Sequence, residues 1–293
     1  MHEPIATTSL LVMLVTGVLS YRGFINSRFE EKYIFRPESI LAYKEFYRLL
    51  TSAFLHANWY HLIFNMMSFY FFGSMIEFVH GAGHLLTIYL GGIIGGNLLS
   101  LWIHRHHEYA AYGASGGVCG VIFAHIFLFP GGSISSFLFP ISIPSWLYAI
   151  CFMLGSFYAL KAQRDNIGHD AHLGGAIVGL LITTALHPWI VPLSPKLFAA
   201  VLLLSIALFV YLLFNPLFLP AASVLDFPFW RKTKHPNIPK GKDEQLRIDE
   251  LLEKVSNSGM ESLTAEEKRF LNEVSGKLQR RADSKKPESG LTF

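Results

Sequence analysis

A serine set among small residues, Gly113-Ala114-Ser115-Gly116, opens one of the chain's apolar stretches. Glycine lets backbone and substrate approach a hydroxyl closely, and it tolerates the turns that expose a nucleophile. An isolated serine in an apolar helix ordinarily bonds back to its own backbone, so Ser115 needs a base before it means anything chemical. His169-Asp170-Ala171-His172-Leu173-Gly174-Gly175 opens a later apolar stretch. Imidazole, with an ordinary pKa near ~6.5, can take a hydroxyl proton and return it to a leaving amine. On its own, His172 reads at least as readily as a packed, hydrogen-bonded core histidine. A third polar stretch runs from His56 through Asn58, Trp59, Tyr60 and His61 to Asn65. His61 and Asn65 are four apart and so share one helix face. They can donate hydrogen bonds either to a developing oxyanion or across to a neighbouring helix. Asn58 is expected to cap this helix, with Trp59 and Tyr60 at headgroup level. Asp170 does not share a helix face with His172 and is expected as the N-cap of its own helix. No metal site is expected. His56 and His61 have no carboxylate at helical spacing, an HExxH pattern is absent, and His104, His106 and His107 read as a polar loop beside Arg105.

The elements that must position these groups are membrane helices. Of the 293 residues, 52% are hydrophobic and only 15% charged, where soluble domains average about 25% charged; mean hydropathy is +0.38. A net charge of +3 is too small and dispersed to argue for nucleic acid, and Arg231, Lys232 and Lys234 beside an apolar segment suit anionic lipid. Stretches near the ~20 residues that span a bilayer lie at about 5–21, 60–79, 83–103, 115–130, 145–162, 171–187 and 197–215. The first is expected as an uncleaved helix, since no basic n-region or cleavage site precedes it. Residues 22–55 carry charges and aromatics but no spanning run, so they belong at the interface. The fourth and sixth stretches start on the same side of the membrane, which puts Ser115 and His172 at similar depth. Gly116, Gly120 and Ala124, and Ala171, Gly175 and Gly179, would let those two helices touch. Cys119 and Cys151 lie in apolar segments and are expected as buried thiols.

The fold expected is therefore an all-α membrane protein. Residues 1–187 form a six-helix core, 188–219 an additional hydrophobic segment, 220–242 a linker and 243–293 a small soluble helical tail. In the tail, Ile248, Leu251, Leu252 and Val255 fall on one helical face, and Phe270, Leu271, Val274 and Leu278 on another. Thr264-Ala265-Glu266-Glu267 has capping-box spacing. A seventh crossing at 197–215 would put the tail outside the cell, whereas the charges at 231–234 favour the cytoplasmic side. Both arrangements stay open.

In order and placement, Tyr47-Arg48, His56 with His61 and Asn65, Gly113-Ala114-Ser115-Gly116 and Ala171-His172-Leu173-Gly174-Gly175 resemble the signature of bacterial rhomboid intramembrane serine proteases. The resemblance covers about residues 1–187. It implies a Ser115–His172 dyad without a third acid or any cofactor. It also implies an oxyanion hole made by the Ser115 N–H with the His61 and Asn65 side chains. His56 would order the loop beside the site. Residues 22–55 would be a membrane-embedded loop held by Arg48, with Tyr47 where the family commonly has Trp. Glu77 matches a buried acidic residue that braces this loop. Substrates would be single-span membrane proteins, cut near the extracytoplasmic face of a bacterial membrane by a multi-pass enzyme. A silent rhomboid relative and a transporter are the rivals. The first usually lacks the Ser or the His, and the second should show matched interrupted helices.

Overall fold

A computed structural model describes residues 6–106, 108–135, 142–162 and 168–214, and in the tail residues 251, 254–255, 262–264, 267–268 and 270–271. The chain separates into two compact units, Met1–Arg231 and Lys232–Phe293. Among its described residues the first is largely helical. In chain order it holds α1 (Thr7–Ile25), α2 (Ser27–Tyr33), α3 (Pro37–Tyr43), α4 (Arg48–Thr51) with a 3₁₀ turn over Ser52–Phe54, α5 (Trp59–His80), α6 (Ala82–His104) and α7 (Ser115–Leu128). A two-strand hairpin, β1 (Ser133–Ser135) and β2 (Ser142–Pro144), then precedes α8 (Ser145–Ala162), α9 (His169–Leu186), α10 (Ile190–Leu193) and α11 (Pro195–Phe214). Over its described residues, each apolar stretch expected from the sequence coincides with a helix, although the one expected to reach residue 130 ends as a helix at Leu128. Among the described residues, α1, α5, α6 and the Pro195–Leu212 part of α11 are long and apolar enough to cross a membrane, and Ser115–Leu128 and Ser145–Leu160 are shorter apolar helices. Tight β pairing of Ser133 with Pro144, Ile134 with Ile143 and Ser135 with Ser142 was not expected, because three-residue strands show no usable alternation.

Helices α6, α7 and α9 make the centre, because their facing surfaces are nearly bare of side chains. A Cβ on Gly175 would overlap the Gly116 carbonyl, one on Gly179 would overlap Gly120, and one on Gly92 would sit 3.2 Å from the Gly117 Cα. Around this seam Phe69, Tyr89, Phe123 and Phe127 are fully buried. Length matters at α7. Its 14 residues rise about 21 Å, against a hydrocarbon core of about 30 Å, so an end of α7 must lie below the membrane surface.

The connection from α1 to α5 is a folded unit. Asn26 ends α1 and caps α2, its Oδ1 accepting from the Phe29 N–H at 3.1 Å. Arg48 is buried and closes the unit. Its Nη1 donates to the carbonyls of Glu31 and Ile34, both at 2.7 Å, and its Nε donates to Glu45 at 2.5 Å. Those carbonyls lie at the C-terminal end of α2, where a cation is favoured. Tyr47 donates from its hydroxyl to the Lys32 carbonyl at 3.3 Å. Asn97 on α6 ties the unit to the centre through the Leu49 carbonyl (2.8 Å) and the Ser52 hydroxyl (3.2 Å).

Three expectations need correction. Glu77 does not brace this connection. It sits 18 residues after the first residue of α5, about 27 Å along the helix, at the opposite end of the bundle. There its half-buried carboxylate accepts from the N–H groups of Thr8 (2.7 Å) and Ser9 (2.8 Å) and from the Ser9 hydroxyl (2.7 Å). It caps α1 from a neighbouring helix, accepting from first-turn N–H groups that α1 cannot satisfy itself. Glu77→Ala should therefore cost about 1–3 kcal/mol, read as a lower Tm with little change in the site. Next, His104 is not in a loop: it is the buried last residue of α6, and His107 lies outside the described residues. Finally, Cys119 is buried but Cys151 lies on the outward face of α8, and both are free thiols.

In the second unit the expected capping box is formed, with Thr264 N–H donating to Glu267 at 2.7 Å and Glu267 N–H to the Thr264 hydroxyl at 3.3 Å. Lys254 pairs with Glu267 at 2.9 Å, and Leu251 and Leu263 are buried. Of the other positions on the two tail faces, Val255, Phe270 and Leu271 are half-buried, and Ile248, Leu252, Val274 and Leu278 lie outside the described residues.

Candidate active site

Ser115 is the first residue of α7. The first helical bond of α7 runs from Val118 N–H to the Ala114 carbonyl at 3.0 Å, so the Ser115 N–H stands in the first turn, where helix donors have no intrahelical partner. The approach to it is held at three successive points. Ala111 pairs with Phe35 in an isolated antiparallel bridge, Gly113 N–H donates to the Ser52 carbonyl at 3.0 Å, and Ala114 N–H donates to His56 Nε2 at 3.3 Å. Gly113 has φ +135°, a conformation open to glycine and strained for other residues. A Cβ there would stand 2.8 Å from His61 Cε1, 3.0 Å from His61 Nε2 and 3.8 Å from the Ser115 hydroxyl. Gly113 thus keeps open a small space between an imidazole and a hydroxyl.

The tautomers of both histidines follow from their partners. His56 accepts at Nε2, so its proton sits on Nδ1 and points to the Ser20 hydroxyl 2.9 Å away, which in turn donates to the Phe54 carbonyl at 2.9 Å. Burial, with His61 as neighbour, holds the His56 pKa well below its ordinary value. It therefore stays neutral and able to accept from Ala114 at physiological pH. His61 accepts at Nδ1 from the Ala57 N–H at 3.4 Å. In its neutral form it then carries the proton on Nε2, the nitrogen facing Gly113 and Ser115. Asn58 caps α5 as expected, its Oδ1 accepting from the His61 N–H at 2.9 Å. Asn65 is buried, and one of its amide N–H bonds goes to the His61 carbonyl at 2.9 Å.

His172 lies in the first turn of α9, next in the chain to Ala171. A Cβ on Gly116 would be 3.2 Å from the Ala171 carbonyl oxygen. Ser115 and His172 therefore flank a direct backbone contact between α7 and α9, each adjacent in sequence to a residue of it, and both are half-buried. From α8, Phe152 brings its ring to 6.4 Å from that of His172, and His169 stands 5.7 Å away. Phe152 and Ser20 are not among the residues that the sequence singles out. Neither carries a signal of its own, since Phe152 is one apolar residue in an apolar helix.

Asp170 is not the N-cap of α9. Gly168 occupies that position without a side-chain bond. Asp170 turns inward, 1% exposed, and its Oδ2 lies 3.1 Å from His104 Nε2 at the end of α6. A half-turn of helix separates it from His172, so it faces the neighbouring helix and not the serine.

The family model of the Rhomboid domain matches residues 43–189, half of the 293-residue chain. The chain belongs to the rhomboid family. Its all-α membrane architecture is that of a rhomboid, and the matched segment contains α5 to α9 with every residue of the site except Ser20 and Phe35. A second family model, a family of unknown function (DUF6576), matches residues 239–277 in the tail. Among curated rhomboids, Rhomboid protein 1, mitochondrial, of Saccharomyces cerevisiae is 29% identical over 158 residues, 53% of this chain and 45% of that protein. Rhomboid protease GluP of Bacillus subtilis is 32% identical over 173 residues, 59% of this chain and 32% of its own. Rhomboid protease GlpG of Pectobacterium atrosepticum is 28% identical over 140 residues, covering 47% and 48%. The chain spans less than half the length of each of these three relatives, which come from mitochondria and bacteria alike. This rhomboid is a multi-pass membrane protein.

Proposed function

We propose that this chain is an intramembrane serine endopeptidase in which Ser115 and His172 act as a dyad. The observation that carries the reading is the backbone contact of α7 with α9 at Gly116 and Ala171, with Ser115 on one side of it and His172 on the other. His172 takes the Ser115 proton as Oγ attacks the scissile carbonyl carbon. The carbonyl electrons move onto oxygen, and in this reading the Ser115 N–H and the His61 Nε2–H donate hydrogen bonds to that oxyanion, with the second N–H of Asn65 as a further donor. His172 then gives its proton to the leaving amine, and the acyl-enzyme ester forms. A water molecule, deprotonated by His172, releases the acid and restores the hydroxyl. Arg48, His56, Gly113 and Gly116 act as supports: Arg48 closes the connection beneath the site, His56 holds Ala114, and the two glycines keep backbones close.

Relatives support the class, since GluP and GlpG are named rhomboid proteases. The proposed substrates are single-span membrane proteins, and the proposed setting is a bacterial cell membrane with the site open to the extracytoplasmic side. Water must reach a serine below the surface, which the short α7 makes feasible. The test uses a fluorescent transmembrane peptide with detergent-purified full-length protein, alongside a fluorophosphonate probe. Cleavage with probe attached at Ser115 is expected. Cleavage with no serine labelled would sink the dyad, and absence of any cleavage of several such peptides would favour a silent rhomboid.

Oxyanion stabilisation makes a separate prediction. Asn65→Ala should lower kcat by up to about 10²-fold, the lower range for a single donor, because other donors remain. KM should stay within about twofold, since the donor acts mainly in the transition state. Unchanged kcat with a much lower Tm would instead assign Asn65 to packing alone, through its bond to the His61 carbonyl.

A further inference from the structure

We infer that Asp170 and His104, with Tyr109 stacked on the histidine, form a buried positioning couple that sets the rotation of α9 and hence the place of His172. This rests on the dyad reading above. The couple is a built one. Asp170 is 1% and His104 5% exposed, and their side chains meet at 3.1 Å. The Tyr109 ring lies flat on the His104 ring, 3.6 Å between centroids and 1° between planes. A Cβ on Gly168 would stand 3.5 Å from the Tyr109 hydroxyl and 3.7 Å from Asp170 Oδ1, so hydroxyl and carboxylate share the N-terminal end of α9. The Ser100 hydroxyl, also buried, faces the same carboxylate. Both groups sit at helix ends: Asp170 is in the first turn of α9, whose N–H groups attract a carboxylate, and His104 is the last residue of α6.

Holding two helices together does not need a charge. A buried ion pair is often no more stabilising than apolar residues of the same volume, and ionisable groups at membrane depth mark function by default. What the pair supplies is direction. The α7–α9 seam is made of glycine backbone, which fixes how near those helices come; Val178 and Ile182 of α9 pack over Gly95 and Gly91 of α6 further along the helix, so what remains to be keyed is the rotation of the N-terminal end of α9, where His172 sits. Asp170, on the side of α9 away from the serine, is keyed by His104. A rotation of ~10° would move a ring nitrogen ~6–7 Å from the helix axis by about 1 Å, and misplacement of 1 Å can cost about 10²-fold in rate. Tyr109 also connects the two halves of the site. Its ring packs edge-on against Phe35 at 6.2 Å, Phe35 pairs with Ala111, and Gly113 and Ala114 are held two and three residues later. One short segment thus references His172 and Ser115 to a common frame.

The test compares Asp170→Asn, His104→Leu and His104→Gln in the full chain, measuring kcat and KM per site titrated with the fluorophosphonate probe, together with Tm. Asp170→Asn and His104→Leu should lower kcat per titrated site by about 10- to 100-fold with KM within about twofold. His104→Gln, whose amide still donates to the carboxylate, should recover most of the loss. If the first two variants lower Tm but keep kcat per titrated site within about twofold of wild type, the couple is only a staple and the inference fails. Should those variants not fold, Tyr109→Phe keeps the stacked ring and removes only the hydroxyl. A several-fold fall in kcat supports the couple, and no fall overturns it. A wild type that cleaves without labelling at Ser115 would instead sink the dyad, and this inference with it.

Discussion

Ser115→Ala is expected to abolish peptide cleavage while the protein still inserts and purifies as a folded bundle, and His172→Ala is expected to do the same. The loss should be at least about 10⁴-fold for each, and the double variant should be no worse than either single one, because two groups that share one proton act as a unit. Folding should survive both changes. Ser115 and His172 are half-buried, and neither supplies the seam, which is made by Gly116, Ala171 and Gly175. The measurement is single-turnover cleavage of a transmembrane peptide, with probe labelling as a second readout. Wild type should label at Ser115, and His172→Ala should label far more slowly because the hydroxyl has lost its base. Appreciable residual cleavage by Ser115→Ala would show that another group attacks the carbonyl, and the dyad would have to be abandoned.

Much of this architecture is legible in the sequence because a membrane makes polar residues conspicuous. Ser115, His172, His61 and Asn65 stand out against apolar runs, and those runs end within a few residues of the observed helices. Asn58 and Thr264 are legible for a different reason, since capping is local and needs only the next turn of chain. What cannot be read locally is which distant group a polar side chain meets. Asp170 has the composition of a cap, yet its partner His104 lies 66 residues away across the bundle. Its side chain turns inward to lie 3.1 Å from His104, and the cap position of α9 falls to Gly168. Glu77 shows the same limit. Family resemblance placed it beneath the connection of residues 22–55, but its register along α5 puts it at the other end, on the N-terminus of α1. The folding of that connection was illegible too. Its helices are only four to seven residues long, and Arg48 organises them through backbone carbonyls, which no sequence pattern announces. The tautomers of His56 and His61 likewise depend on single N–H groups, of Ala114 and Ala57, that any residue would supply.

Gly175→Ala is the smallest change expected to break the molecule. A methyl group there would overlap the Gly116 carbonyl and the Gly116 Cα. Overpacking against a side chain costs ~1–3 kcal/mol because the neighbour can turn away. Here the neighbour is backbone of α7, so the helices themselves must separate, and the cost should reach about 3 kcal/mol or more. Separation also moves His172 away from Ser115, since both flank the same contact. Activity should therefore fall even in whatever fraction remains folded. Gly155→Ala on α8 is the control. No atom lies within 4 Å of the Cβ it would add, and alanine is the better helix former by about 1 kcal/mol, so stability should hold or rise. Thermal unfolding in detergent, with kcat measured per titrated site, separates the two. If Gly175→Ala unfolds at the wild-type temperature and cleaves at the wild-type rate, α7 and α9 do not meet through their backbones. The contact that brings Ser115 and His172 together would then have to be sought elsewhere on these helices.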